Sequence, residues 1–138
     1  MFQRDYLQRM IERFGELLQR LISLRLDNLP DEAEDLSNEV FDSYFPFPAD
    51  KVRHTPLEDM SSFIAEYPDL TEDHWTILAD LLKEEGERWY QKGEWEAGDA
   101  SVKKAILILT YLNKTHPDIY SIDRQTKLNN WNKRLTDE

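Results

Sequence analysis

The chain has 138 residues, 40% hydrophobic and 33% charged, with no cysteine, which suffices for one cored domain of about six helices and is short for two. Its 28 acids against 17 bases give a net charge of −11, which repels phosphate backbones and argues against nucleic acid as a ligand. The lack of cysteine removes disulfide frameworks, thiol nucleophiles and thiolate-held zinc or iron–sulfur sites.

No apolar run nears the roughly 18 residues of a membrane span, the longest being Ala105-Ile106-Leu107-Ile108-Leu109. Arg4, Asp5, Arg9, Glu12, Arg13 and Glu16 interrupt the N-terminal apolar residues, so no secretory signal is expected and the expected location is cytoplasmic. Acidity is concentrated in the middle: residues 27–73 hold fourteen acids and two bases, whereas residues 1–26 and 100–138 are net basic.

Apolar residues recur at three and four throughout, the period of amphipathic helices, and no strand pattern stands out. The first predicted helix runs over about 2–26, with Tyr6, Met10, Phe14, Leu17, Leu21 and Leu24 along a face widened by Leu7, Ile11, Leu18 and Ile22. Asn28 tolerates a left-handed cap and Pro30 suits the first position of a second helix reaching residue 44, completing a hairpin over 2–44. Ala33, Leu36, Val40, Phe41 and Tyr44 form its apolar face, and Asp31, Glu32, Glu34 and Asp35 complement its dipole. Phe45-Pro46-Phe47-Pro48 opens a loop over 45–54, because each proline pushes its predecessor toward extended geometry. Thr55-Pro56-Leu57-Glu58 reads as a capping box for a short helix over 55–67.

Thr71 caps a long helix carrying Trp75, Leu78, Leu82 and Trp89, ended by a glycine cap at Gly93. The next helix packs back on it, giving a hairpin over 71–115, and Asn113 to Pro117 breaks the chain before a final helix over 119–135.

Gly86, Trp89, Gly93, Gly98 and Ala105 place a glycine, an aromatic, a turn glycine and small residues at the offsets of a helix hairpin. Through them the segment from Leu82 to Ala105 resembles a degenerate tetratricopeptide repeat, in which small residues let the helices approach and Trp89 fills the wedge. Leu82, Glu85 and Val102 depart from the repeat's tryptophan, leucine and phenylalanine, and no proline closes the unit at Thr110. Leu24, Asn28, Ala33 and Val40 give a fainter echo in the first hairpin. The segments Phe2 to Glu12 and Ile77 to Glu87 also resemble a bacterial family of short proteins of unknown function, described as repeat-like, which implies a fold and brings no activity.

Repeats of this type present the first helix of each hairpin to a partner, which here implies a stripe of Asp80, Lys83, Glu87, Tyr90 and Gln91 for a protein or peptide. The rival reading of the stripe is a solvated surface. A second hypothesis is a small-ligand pocket between helices lined by Trp75, Trp89, Trp95 and Tyr111, set against simple core packing of the four rings. Phe45 and Phe47 are either a docking loop, a lid or loop anchors. The broad apolar face of the first helix also suits a homodimer.

Catalytic constellations are absent from the pattern. His54, His74 and His116 lie apart with no His-Glu-x-x-His, so no metal or cofactor is expected. Ser101-x-x-Lys104 lacks the companion motifs of acyl-enzymes, and Asp99 and Ala100 replace the lysine and hydroxyl of a phosphate loop at Gly93 to Gly98. The sequence therefore points to a single all-α domain over 1–138, stacked in tetratricopeptide-like hairpins, that works by interaction or self-assembly rather than catalysis.

Overall fold

A computed structural model describes residues 4–115 and 121–136, among which the chain is all-α with no strand. The helices are α1 (Arg4–Leu26), α2 (Pro30–Tyr44), α3 (Ala49–His54), α4 (Met60–Ala65), α5 (Glu72–Gln91), α6 (Trp95–Thr115) and α7 (Ile122–Thr136), with a 3-10 turn at Leu57–Asp59 before α4. The predicted start of the first helix at Phe2, the break through His116 and Pro117 and the first residues of the last helix lie outside the described residues.

Punctuation works as the residue types dictate. Asn28 takes φ +59° after α1, Pro30 occupies the first turn of α2, and Gly93 takes φ +81° between α5 and α6. Thr71 caps α5 reciprocally with His74, whose buried ring nitrogen Nδ1 accepts from the Thr71 backbone N–H at 3.1 Å. Thr55 does not cap the next element. Its hydroxyl donates back to the Lys51 carbonyl at 2.6 Å, closing α3, and the following turn has no side-chain cap. The segment read as loop 45–54 contains α3, which starts after extended Pro48 and buries Ala49 and Val52; two apolar positions are too few to show a helical period.

The core centres on α5 and α6. Leu78, Leu81 and Leu82 of α5 meet Val102, Ala105, Ile108 and Leu109 of α6, all essentially without solvent exposure. Two glycines set the approach of the pair. A Cβ on Gly86 would stand 2.8 Å from a Val102 methyl and 3.1 Å from the Gly98 carbonyl, and one on Gly98 would stand 2.5 Å from the Tyr90 ring. The ring that covers this crossing is therefore Tyr90, not Trp89 as the repeat resemblance implied. Trp89 points to the neighbouring side of α5, where it is half-buried.

The apolar face of α1 packs on both α2 and α5 and buries Met10, Phe14, Leu17 and Leu21, whereas Tyr6 and Ile11 of the same face stay exposed. Phe45 and Phe47 are buried, and Phe47 stacks against Trp75 (centroids 6.2 Å) and meets Phe63 edge-on (4.9 Å). They anchor the loop in an aromatic cluster joining α2, α4 and α5; neither ring is an exposed docking element. Finally, α7 packs along α6, burying Leu128 and Trp131. No helix among the described residues is long and apolar enough to cross a membrane.

Candidate functional site

Asp80, Lys83, Glu87 and Tyr90 recur at three and four, so α5 presents them on one face as expected. That face is not open. Lys127 of α7 donates to Asp80 at 3.1 Å, and Arg134 of α7 pairs with Glu87 at 3.1 Å while its guanidinium lies 4.0 Å from the centre of the Tyr90 ring. Tyr90 is 5% exposed and its hydroxyl donates to Asp99 at 2.5 Å. Lys83 pairs with Glu87 along α5 at 3.4 Å. Gln91 alone of the five is exposed, with its amide donating to the Arg25 carbonyl at 3.0 Å. Burial pushes the Asp80 carboxyl up from its ordinary range, with Lys127 opposing the shift. The sequence showed the stripe but not its cover, since α7 lies some forty residues further along the chain.

The four aromatics of the second hypothesis do not converge. Trp75 is buried in the Phe47–Phe63 cluster, Trp95 is exposed and tilted against Tyr90, and Tyr111 packs partly buried on the core. Of the four, Trp89 borders a cavity. This space, about 300 Å³, opens between α3, α5 and α6, with Leu82, Ala97 and Ala100 beside Trp89 and with Arg53, His54, Glu85, Ser101 and Lys104 supplying polar groups. A smaller recess of about 50 Å³ lies across Trp89 and Glu85, bordered by Pro30, Glu34, Arg88 and Lys92.

In the sequence Ser101, Lys104 and His54 read only as an incomplete acyl-enzyme spacing and a lone histidine, and their grouping with Arg53 and Glu85 was missed. Arg53 donates to Glu85 at 2.7 Å, Arg25 pairs with Glu84, and the Lys104 ammonium donates to the carbonyls of Val52 (2.9 Å) and Arg53 (2.8 Å) at the end of α3. Arg88 is 7% exposed, and its Nη1 has no hydrogen-bond partner among the described residues. Desolvation lowers the pKa of both Lys104 and Arg88, partly offset for each by Glu85. The signal available was the pair Glu84-Glu85 flanking the inward positions of an otherwise apolar α5 segment, which demands cations from elsewhere.

A third surface has the opposite character. Asp31, Glu32, Glu34, Asp35, Glu39 and Asp42 of α2 are all exposed, and none has a cation within 4 Å among the described residues. Beside its C-terminal half lie two hollows that share Ser43 and Tyr44. One, of about 280 Å³, runs against Leu17, Leu36 and Val40 and is also bordered by Arg13 and Glu39; the other, of about 460 Å³, is bordered by Tyr6, Pro46, Tyr67, Pro68 and Leu70, with Glu66 and Asp69 at its rim. Among the described residues no three His, Asp or Glu side chains gather as metal ligands. Comparison with protein-family models, curated proteins and solved structures finds no match for this chain.

Proposed function

We propose that the chain is a non-catalytic interaction module of tetratricopeptide-like hairpins that docks a basic peptide segment of a partner protein along α2. The observation that carries this reading is the row of six exposed carboxylates on α2, none with a cation within 4 Å among the described residues. Such a row raises the encounter rate with a cationic partner and costs self-repulsion while unoccupied. The adjoining hollows supply apolar and tyrosine walls for one aliphatic or aromatic anchor, with lysines or arginines flanking it over Glu39, Asp42 and Asp69, while Glu66 at the same rim is paired with Lys51 at 3.7 Å. The α5 stripe serves a different purpose in this reading, as the seat of α7. The close Gly86–Gly98 approach supports the hairpin resemblance for α5 and α6.

The test is fluorescence anisotropy with a labelled peptide rich in arginine and lysine around a central leucine or phenylalanine. Binding is expected to weaken steeply with added salt and to be lost in Glu39→Lys/Asp42→Lys, with melting unchanged. Binding that ignores both salt and the double charge reversal would remove α2 as the docking face.

A further inference from the structure

We infer that the cavity beside Trp89 binds a small amphipathic carboxylate, whose acid group meets the Lys104 ammonium and whose hydrocarbon lies against Trp89. The inference stands on a different part of the molecule from the α2 surface.

Lys104 is 9% exposed and spends two of its three N–H bonds on the Val52 and Arg53 carbonyls. Among the described residues the third has no acceptor, and no carboxylate lies within 4 Å of the ammonium. A buried cation normally has a counter-ion, because the hydration it loses is costly when nothing replaces it. Glu85 is the carboxylate that acts on Lys104 electrostatically, but its Oε1 is committed to Arg53 at 2.7 Å. Across Trp89, Arg88 is a second buried cation with no ion pair within 4 Å among the described residues, though Glu85, Glu84 and Glu34 act on it electrostatically. A ligand carboxylate entering the cavity completes the shell that the protein leaves open at Lys104.

Size and polarity narrow the class. About 300 Å³ is the lower end of ligand cavities and equals about ten water volumes. Leu82, Ala97, Ala100 and the Trp89 ring favour a compact hydrocarbon or a single aromatic ring. One free ammonium donor beside Glu85 suits one negative charge and disfavours a phosphate dianion, which Glu85 repels. Cationic ligands meet Arg53 and Lys104 and are excluded.

Calorimetry on the full chain with acetate, 4-methylvalerate and 3-phenylpropionate, and with 3-phenylpropionamide as the neutral isostere, tests the inference. At least one of the two larger acids is expected to bind and to shift the Trp89 indole N–H resonance, with acetate weaker. The amide should bind about tenfold more weakly than 3-phenylpropionate, and Lys104→Met should bring the acid down to the amide's level. Because Lys104→Met removes a bridge to α3, Ala97→Leu/Ala100→Leu is the second variant; it fills the cavity, keeps Lys104 and should abolish binding with the helical circular dichroism retained. No binding of any acid at millimolar concentration, equal binding of acid and amide, or binding that survives the filled cavity would each overturn it.

Discussion

Two helices of this chain carry six carboxylates each, and their fates are opposite. On α5, five of the six meet a cation from another helix: Glu72 with Arg124, Asp80 with Lys127, Glu84 with Arg25, Glu85 with Arg53 and Glu87 with Arg134. On α2, all six face solvent with no such partner. The α5 acids are a central spine to which α1, α3 and α7 are fastened, whereas no α2 acid forms an ion pair within 4 Å among the described residues. Acidic composition alone does not separate a structural carboxylate from a recognition surface; the helix laid over it does.

The largest effect separating the two helices should come from Glu85→Ala. It leaves Arg53, Arg88 and Lys104 without their shared carboxylate and should cost about 3 kcal/mol, the usual loss on breaking a buried pair from one side; urea unfolding measures it, and a loss below about 0.5 kcal/mol would show that the spine is decorative. Next, Gly98→Ala drives a Cβ into the Tyr90 ring and should cost about 2 kcal/mol. Gly15→Ala on α1, with nothing within 4 Å, should instead stabilise by about 0.5 to 1 kcal/mol. Urea unfolding of the two glycine variants sharpens the contrast between the crossing that holds α5 and an open helix face.

A smaller expected effect is on pH dependence. Burial holds the His74 pKa below 6.5, so the unfolded chain takes up a proton first as pH falls. His74 therefore contributes stability that is full above about pH 6.5 and is lost as pH falls through the depressed folded value. His74→Asn, which offers an amide oxygen to the Thr71 N–H, should flatten that part of the stability curve; an unchanged slope below pH 6.5 would contradict the assignment. The smallest effect belongs to α2, where Asp35→Ala should change stability by no more than about 0.5 kcal/mol, toward stabilisation, and less so at high salt.

Local chemistry in the sequence carried much of the fold. Asn28, Pro30, Thr71 and Gly93 mark helix ends by their own conformational preferences, and they do so here. Helix α3 was illegible because six residues with two buried positions show no period, and because the adjacent prolines spoke for a loop. Choosing Tyr90 or Trp89 for the α5–α6 crossing turns on 100° of helix phase, which Gly98, across the turn, settles only in three dimensions. The site was less legible for the same reason. Asp80 and Glu87 stand seven apart, as do Lys127 and Arg134, a matched spacing that hints at α7 lying alongside α5, yet nothing local distinguishes such a cover from a solvated face. Beyond the bare Ser101-x-x-Lys104 spacing, Lys104 carried no signal except its place on the inward side of an apolar helix.

The claim that α5's acids are internal while α2's are open is tested most directly by carboxylate footprinting, in which carbodiimide couples glycine ethyl ester to accessible acids and mass spectrometry follows each site with time. The account expects Asp31, Glu32, Asp35, Glu39 and Asp42 to react at the pace of free side chains, and Asp80, Glu84, Glu85 and Glu87 to react far more slowly until the chain is unfolded. Equal rates on the two helices in the folded protein would contradict it and return the α5 stripe to the surface.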